Sequence, residues 1–445
     1  MGISVKKIFL AAAVLGLSVT VSGFTSYSHA AAEASGLSMN HWTKPSEKGS
    51  LRPLWSIPAA SPIPENKELR ESRAAAGDGQ FYIVQQGVLK ALDAADGQLR
   101  WSYGTDLNPK IVYSQGSLYG SSEDGTIFAV NSKGKKLWES ARTVTKAGKL
   151  VPAGDTLYVL RGIDIFAFNI HTGQLRWENH DTFAADGGME LAVQEGVVFR
   201  SYTGGITGSA GTLKAFDAST GVKLWERSGV KVPILIRDDA AYAVCEPGPF
   251  AEPEAELKLT ALNVKSGEIK NNYLYNWSPR PLSGMRGYTA EAVIEGDLLY
   301  ASHNGQTVIY ALSQYTGAGD QPKEMFAGQF QDIVQPLPGS YSDRIFYEAR
   351  SSLPYLLLKS IHIKDKSAVT YNIDNPAAQI SIFGNGVYVG QMDGKFRAFE
   401  LGSGAGVFTV ETDSRNYGPV LFEKGYMLIQ TDSQFLGIKI PDKLK

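Results

Sequence analysis

Histidine, cysteine and acidic residues are the side chains of this 445-residue chain that could support catalysis or bind a metal. The six histidines include no pair at H-x-x-x-H spacing, which is how one helix presents two ligands to zinc. His180 precedes Asp181 and could begin a metal site, although a single His–Asp pair is more typical of a solvated surface. The only cysteine, Cys245, cannot form an internal disulfide. We therefore expect no catalytic residue, no metal site and no bound cofactor.

Acidic pairs leave one catalytic possibility open. Glu123-Asp124-Gly125 and Asp238-Asp239 are typical of exposed turns, where Asp-Gly is a common hairpin signal. A glycoside hydrolase needs two carboxylates roughly 5–10 Å apart across a cleft, and a sequence alone does not show such a pair. The G-x-S-x-G pattern of an α/β-hydrolase nucleophile does not occur.

The segment Asn276 to Tyr288 contains the residues best suited to binding a partner. Trp277, Arg280, Arg286 and Tyr288 are of the types enriched at binding hot spots. We take these four as the candidate partner-binding residues. A packing role is the alternative for Trp277.

The elements that must position these residues come from a repeat that covers most of the chain. Ala91–Trp101 (ALDAADGQLRW) has close copies at Ala129–Trp138, Ala167–Trp177 and Ala215–Trp225. Each copy has a small residue first, Asp or Asn two places on, Gly near the middle and Trp at the end. Asx and Gly are turn residues, and the flanking residues alternate as in strands. Each copy therefore predicts a β-hairpin that places its Trp beside its Ala, with a structural role for the indole.

Weaker copies begin at Ala261, Ala311 and Ala398, and the last has Phe408 in place of the Trp. The copies recur mostly about every 38 to 50 residues, which is the period of propeller blades. Each unit contains four predicted short strands, and nine units can be counted. In the third unit the predicted strands are 149–152, 156–160, 164–169 and 175–178.

The two ends of the repeat region complement each other. Leu54 to Ile57 resembles a closing strand without an opening strand, and Phe435 to Ile440 resembles an opening strand without a closing strand. If the two pair, the units form a ring without exposed sheet edges. The sequence thus predicts an all-β fold, a closed β-propeller of eight or nine four-stranded antiparallel blades, closed by an N-terminal strand near Trp55.

The N-terminal segment has the features of a secretory signal peptide, residues 1–30. Lys6 and Lys7 precede an apolar stretch, and cleavage is expected after Ala30 or Ala32. We expect a flexible leader over residues 31–50 and a single propeller domain over residues 51–441. The expected protein is secreted or otherwise extracytoplasmic, bacterial, monomeric and without a membrane span. Its formal net charge of −2 argues against a nucleic acid partner.

Long predicted connections are concentrated on one face of the ring. They are Asp181 to Gly188, Thr203 to Gly211, Glu246 to Glu256 and Asn276 to Tyr288, in units three to six. In a meander of strands A to D, the B–C and D–A connections share a face, and these four segments are all of those two kinds. Because scaffold proteins tend to carry function on such loops, this face is the expected binding surface. Neutral surface insertions are the alternative.

The pattern A-x-D-x-x-T-G-x-x-x-W resembles the repeat of the pyrroloquinoline quinone (PQQ)-type β-propellers, and the resemblance covers nearly the whole chain after the signal. One branch of that family comprises quinoprotein dehydrogenases, which hold PQQ and a calcium ion in the channel. Their vicinal cysteine pair cannot exist here, since Cys245 is alone, and a C-x-x-C-H haem motif does not occur. The resemblance to that branch therefore extends to the repeat only.

The other branch is non-enzymatic and includes the propeller lipoprotein of the outer-membrane assembly machinery. The chain is similar to it in length and architecture but lacks its lipobox cysteine. The resemblance implies a secreted or envelope-associated scaffold that holds a protein or polysaccharide partner of the cell envelope or a host surface. The alternative is an enzyme, either a degenerate PQQ-dependent dehydrogenase or a glycan-active propeller.

Overall fold

The computed structural model describes residues 50–59, 72–180, 187–202, 211–245, 256–276, 291–303, 306–317, 320, 322–327, 333–337, 339–350, 356–412 and 414–445. All of them belong to one compact unit, Gly49–Lys445. The predicted signal peptide and almost all of the predicted leader lie outside the described residues, and both stay predictions.

The described chain forms nine antiparallel sheets of four strands each, arranged as the blades of a β-propeller. The strands of each blade are named A to D from the inside outward. Blades 1 to 3 comprise Ala74–Gly77, Gln80–Gln85, Val88–Asp93 and Leu99–Tyr103; Leu107–Ser114, Ser117–Ser122, Ile127–Asn131 and Lys136–Glu139; and Lys149–Ala153, Thr156–Arg161, Asp164–Asn169 and Leu175–Asn179.

The strands of the other six blades follow in the same order. Blades 4 to 6 comprise Gly187–Gln194, Val197–Tyr202, Thr212–Asp217 and Lys223–Ser228; Leu235–Arg237, Ala240–Val244, Glu256–Asn263 and Ile269–Asn276; and Glu291–Glu295, Leu298–His303, Gln306–Ala311 and Glu324–Ala327. Blades 7 to 9 comprise Ile333–Pro336, Arg344–Arg350, Leu356–His362 and Ala368–Tyr371; Ala377–Phe383, Gly386–Gln391, Lys395–Glu400 and Gly406–Glu411; and Leu421–Glu423, Tyr426–Gln430, Gln434–Lys439 and Trp55–Pro58. Two 3-10 helices cover Leu312–Gln314 and Asp442–Leu444.

The all-β propeller predicted from the repeat is confirmed, and the alternative of eight or nine blades resolves to nine. The four strands predicted for the third unit agree with those of blade 3 to within one residue at every boundary. The agreement follows from the turn residues, because Asx and Gly fix where each strand must end.

The ring is closed by the strand that contains Trp55, as predicted. Trp55 and Ile57 are the Cα partners of Gly437 and Phe435 in an antiparallel pair, so the first strand of the chain completes the last blade. Strand A of blade 9 in turn contacts strand A of blade 1. The described strands thus form a continuous circle, in which blade 9 is built from both ends of the repeat region.

Blade 3 shows how the repeat forms its hairpin. The side-chain oxygen of Asn169 accepts hydrogen bonds from the backbone N–H groups of His171 and Thr172, at 2.9 and 3.1 Å. Gly173 then adopts φ +71°, which glycine reaches without a Cβ clash. The returning strand places Trp177 directly opposite Ala167, as the sequence predicts.

The repeated tryptophans also join neighbouring blades, which the sequence did not indicate. The indole Nε1–H of Trp138, in blade 2, donates to the carbonyl oxygen of Ile170 in blade 3 at 2.8 Å. Its ring lies so close to Gly173 that a Cβ there would come within 2.3 Å of an indole carbon. We call this pair of contacts, an indole bonded to one turn residue and lying on the turn glycine, a tryptophan clasp.

Five consecutive interfaces carry the clasp, from blade 9 through blade 1 to blade 5. The clasp pairs are Trp55 with Gly97, Trp101 with Gly134, Trp138 with Gly173, Trp177 with Gly221 and Trp225 with Gly267. The indole nitrogens donate to the carbonyl oxygens of Ala94, Ser132, Ile170, Ala218 and Val264, at 2.8–3.4 Å. The apolar core continues between the blades, since one cluster contains Trp138 of blade 2 together with Phe166 and Phe168 of blade 3.

The remaining interfaces use other residues. Between blades 7 and 8, the Tyr371 hydroxyl donates to the Leu401 carbonyl at 2.7 Å, at the turn position that the clasps use. In blade 8, Phe408 lies opposite Ala398 in place of the tryptophan. Between blades 5 and 6 the backbone N–H of Leu274 donates to the Tyr315 hydroxyl at 2.9 Å.

Candidate functional site

The strands that flank the four long connections all end at one edge of their blades. In blade 4, Tyr202 pairs with Thr212, and Thr212 also pairs with Ser228, so the end of strand B, the start of strand C and the end of strand D lie together. The same holds in blade 5, where Glu256 at the start of strand C pairs with Asn276 at the end of strand D. We call the face that bears the B–C and D–A connections the loop face, and the opposite one the turn face.

The candidate partner-binding residues Trp277, Arg280, Arg286 and Tyr288 lie outside the described residues. The D–A connection that contains them runs between Asn276 and Glu291, which end and begin strands at the loop face. Their proposed role in binding stays a prediction.

Charged residues of blade 3 form a network at the loop face, at the base of the connection that follows His180. The imidazole of His180 lies 3.2 Å from an Asp164 carboxylate oxygen and 3.3 Å from a Glu178 carboxylate oxygen. Arg161 pairs with Asp164 at 2.7 Å, and Arg142 pairs with Glu178 at 2.9 Å. The described partners of His180 are thus two carboxylates of its own blade, whereas Asp181 lies outside the described residues.

Electrostatics follows from this geometry. Hydrogen bonding to Glu178 and then to Asp164 raises the pKa of His180, since both carboxylates favour the imidazolium. The pKa of Glu178 is lowered, chiefly by its hydrogen bond with Arg142. The network therefore holds His180 as a cation at the loop face over a wider pH range than a free histidine.

The aromatic ring of Phe166 packs against the same network. The guanidinium carbons of Arg142 and Arg161 lie 5.6 and 5.0 Å from the centroid of Phe166. His180 meets this ring edge-on at 5.8 Å. A buried ring in contact with three cationic side chains holds them in place at the edge of the blade.

Blade 4 places two buried cations beside the connection over residues 203–210. Arg200 and Lys214 are Cα partners on strands B and C, and both lie over the ring of Tyr202, at 5.2 and 4.7 Å from its centroid. The Arg200 guanidinium donates to the carbonyl oxygens of Ile163 and Asp164 in blade 3, at 2.8 and 2.9 Å. Arg200 therefore fixes the B–C turn of blade 3 against blade 4.

No described group of three histidine, cysteine, aspartate or glutamate side chains could hold a metal ion. Glu123, Asp124, Asp238 and Asp239 are exposed turn residues, as expected. The Asp124 carboxylate, for example, accepts bonds from Ser122 and Thr126 of its own turn. Cys245 is half-buried. In the part of the chain that the structure describes, no helix has the length and hydropathy of a membrane span.

Sequence reasoning missed a cleft between blades 5 and 6. It is lined by Tyr275 of blade 5 and by Tyr310, Ala311, Gln314, Asp320 and Lys323 of blade 6. The signal was present, because the copies that begin at Ala261 and Ala311 lack the tryptophan and the second is followed by a long C–D connection, residues 312–323. Departures from a repeat are where function is expected.

Comparison with known proteins shows that the sequence of this chain matches a protein family. The family model described as "Outer membrane protein assembly factor BamB" matches residues 41–201 and 182–328, which together span more than half of the chain. No curated protein matches the sequence.

Solved structures with a similar chain path include a BamB protein, a methanol dehydrogenase and a designed protein. BamB from Moraxella catarrhalis is 13% identical, with a TM-score of 0.49 over 74% of this chain and 92% of that one. A europium-containing methanol dehydrogenase is 14% identical, with a TM-score of 0.44 over 85% and 84%. The computationally designed Ika8 protein is 12% identical, with a TM-score of 0.46 over 86% and 100%. Such likenesses carry no statement about ligand or activity.

The repeat, the nine four-stranded blades and the match of the family model agree, and the chain belongs to the family of PQQ-like β-propellers described as outer membrane protein assembly factor BamB.

Proposed function

We propose that the protein is an extracytoplasmic binding scaffold that holds a protein partner of the cell envelope through the loop face of blades 3 to 6. The observation that carries the proposal is the uneven length of the connections. On the turn face, the A–B connections of blades 1 to 6 have two residues each, as between Gly77 and Gln80. On the loop face of blades 3 to 6, connections run from Tyr202 to Thr212, from Val244 to Glu256 and from Asn276 to Glu291.

The described residues at the base of the connection from blade 3 to blade 4 suit a protein partner. The network of Arg142, Arg161, Asp164, Glu178 and His180 presents both signs of charge at the edge of blade 3. Mixed charges of this kind are typical of the rim of a protein interface, in which an aromatic and arginine-rich centre supplies most of the binding free energy. The centre here would be Trp277, Arg280, Arg286 and Tyr288.

The test is capture of envelope proteins by the purified protein and by a variant with Trp277, Arg280, Arg286 and Tyr288 changed to alanine. We expect a protein captured by the parent to be lost with the variant, because truncating hot-spot residues typically costs about 2 kcal/mol or more each. A matched control changes Leu99, Lys133 and Lys265 to alanine, which are exposed residues away from the loop face. The control should capture the partner as the parent does.

Other outcomes would count against the proposal. Equal capture by the parent and the loop variant would show that the site lies elsewhere. Capture of purified wall polysaccharide in place of any protein would assign the loop face to a glycan. Turnover of an alcohol that depends on added PQQ would favour the enzymatic alternative.

A further inference from the structure

The turn face changes the sign of its charge around the ring. The A–B connections of blades 1, 3, 4, 5 and 7 each expose an acidic residue, and these are Asp78, Asp155, Glu195, Asp238 and Asp343. The A–B connection of blade 9 instead exposes Lys424. Lys439, Lys443 and Lys445 are exposed at the end of its strand C and in the segment that follows. The inner turns are therefore acidic in five blades, and the turn face is basic at blade 9.

The segment after strand C of blade 9 is fixed against blade 8. The backbone N–H of Asn385 donates to the Leu444 carbonyl at 3.1 Å, and the Asn385 side-chain amide donates to the Lys443 carbonyl at 2.9 Å. The Leu444 side chain is buried in the core cluster that blades 8 and 9 share. A Cβ on Gly425 would lie 3.4 Å from the Lys445 side chain, so this lysine reaches the A–B turn of blade 9. The backbone that carries the lysines thus has a defined position.

An exposed aromatic side chain lies beside these lysines. Phe383 ends strand A of blade 8 and is 45% exposed, although its ring stacks on Phe422 of blade 9 at 4.2 Å between centroids. A Cβ on the next residue, Gly384, would lie 2.9 Å from the carbonyl carbon of Lys445. The ring and the lysine segment are therefore neighbours on one surface. We call this surface the basic patch, and its residues are Phe383, Lys424, Lys439, Lys443 and Lys445.

The basic patch has an excess of positive charge. Within the described part of the chain, three of its lysines make no side-chain hydrogen bond or ion pair, namely Lys424, Lys439 and Lys443. Lys445 pairs with Asp442 at 2.6 Å. The Glu423 carboxylate, at the end of strand A, already accepts the backbone N–H of Gly79 at 2.7 Å. The patch is thus basic on a chain whose formal net charge is −2.

We propose that the basic patch binds an acidic segment of a partner protein that also carries an apolar side chain. Carboxylates of the segment pair with the ammonium groups, and the apolar side chain covers the exposed part of the Phe383 ring. Such a segment matches both the charge and the aromatic surface of the patch. The inference is independent of the loop face, because the patch lies on the opposite face of the ring.

The rest of the turn face favours a narrow segment over a membrane surface. A flat anionic bilayer on the patch would also meet exposed acidic residues of the neighbouring blades, such as Asp78 of blade 1 and Asp343 of blade 7. Like charges across an interface oppose association. An extended peptide covers the patch alone and avoids them. A polyanion without an apolar side chain would leave the Phe383 ring in water.

The experiment is titration of a labelled heptapeptide, six acidic residues around a central phenylalanine, with the full chain, followed by fluorescence anisotropy. At about 20 mM salt we expect saturable binding with a dissociation constant of about 0.1–1 mM, because exposed ion pairs are individually weak. Salt at about 0.5 M should weaken binding at least about 10-fold by screening. The same peptide with serine in place of phenylalanine should bind about 3- to 10-fold more weakly, since it buries less apolar surface.

Lysine variants show whether the basic patch is the site. Changing Lys424, Lys439 and Lys443 together to alanine should weaken binding at least about 10-fold, since each exposed ion pair contributes up to about 5-fold. All three side chains are exposed, so the variant should melt with the parent. The matched control carries alanine at three exposed lysines in the C–D turns of blades 2 and 5, which are Lys133, Lys135 and Lys265. The control should bind the peptide as the parent does.

Phe383→Ala tests the apolar contact. It should weaken binding of the phenylalanine peptide about 3- to 10-fold and leave binding of the serine peptide unchanged. No saturable peptide binding, or equal losses with the two triple variants, would overturn the proposal. Equal affinity for the two peptides would overturn it as well, since any polyanion would then suffice. Binding of vesicles of phosphatidylglycerol and phosphatidylcholine, without binding of the peptide, would assign the patch to a bilayer instead.

Discussion

Trp138 and Gly173 illustrate how single residues determine the geometry of this ring. Two features each require glycine at position 173. Its φ is +71°, and the Trp138 indole occupies the space that a Cβ would need. A left-handed φ alone would tolerate asparagine, but the close indole excludes any side chain. The invariant Gly of each strong copy therefore follows from contact with the preceding blade as well as from its own turn.

Substitution of two glycines in blade 3 separates these requirements. Gly154→Ala changes a residue with φ +58° and open space around it, so we expect a loss of about 1–2 kcal/mol in unfolding free energy. Gly173→Ala has the same backbone cost and also displaces the Trp138 indole, which should add about 1–3 kcal/mol. Chemical denaturation of both variants measures the difference. Equal losses would contradict the role of the clasp.

His180 should make the stability of the protein depend on pH. Its two carboxylate partners raise its pKa, so its contribution is fully present below the unfolded pKa of about 6.5 and is lost as pH rises through the folded pKa. The melting temperature of the parent should therefore exceed that of His180→Gln most near pH 6, and the difference should shrink towards pH 9.

Calorimetry of both proteins across that range checks this prediction. NMR titration of the imidazole should give a pKa above about 6.5. A pH-independent difference between parent and variant would show that the carboxylates do not act through the charge of His180.

At the scale of elements, the outer strand of each clasped blade is as important to its neighbour as to its own sheet. Strand D of blade 2 carries Leu137, which is exposed, and Trp138, which is buried in the cluster that blades 2 and 3 share. Trp138→Phe keeps most of the apolar contact but leaves the Ile170 carbonyl without its donor, which should cost about 1–3 kcal/mol. Leu137→Ala should change stability by less than about 0.5 kcal/mol. Thermal unfolding of the pair tests this.

The strands were predictable because their signals are local. Turn residues such as Asn169 and Gly173 lie within a few residues of the strand ends that they set. The clasps were not predictable, because Trp138 and Ile170 meet only after two separate hairpins have formed and stacked. The cleft could not be predicted for the same reason. Its residues belong to two repeat units, and each unit by itself shows only a departure from the repeat pattern.

The candidate partner-binding residues show the limit of local signals in another way. Residue types alone selected Trp277, Arg280, Arg286 and Tyr288, and the strands on either side of their segment end and begin at the loop face. Neither consideration fixes a side-chain position in a connection that has no repeat pattern. Blade 3 was different, since Asp164 and Glu178 sit on strands whose register the repeat determines.

For the whole molecule, closure of the ring should control stability. Deletion of residues 51–58 removes strand D of blade 9 and the clasp of Trp55 on Gly97. We expect a loss of several kcal/mol, because the deletion removes the pairing of a whole strand and the half-buried Trp55, whose burial alone contributes roughly 1–3 kcal/mol. The exposed strand Gln434–Lys439 would also become an edge that promotes association.

Calorimetry and analytical ultracentrifugation of the deletion variant measure the two effects. Leu54→Ala is the control, since Leu54 lies in the same segment but its side chain is largely exposed. A deletion variant that is monomeric and melts with the parent would show that the eight other blades hold the ring without the closing strand.

The pairing of Trp55 with Gly437 also determines how the ring responds to mechanical force. The chain enters the closing strand at Trp55 and leaves its antiparallel partner after Lys439. The segment before Trp55 and the segment after Lys439 therefore lie at the same end of the strand pair. Tension between these two segments would break the hydrogen bonds of the strand pair one after another. It would not load all of them at once in shear. Tension applied directly at Trp55 and Lys439 would therefore open blade 9 at low force, with Pro58 and Gln434 as the last pair to part.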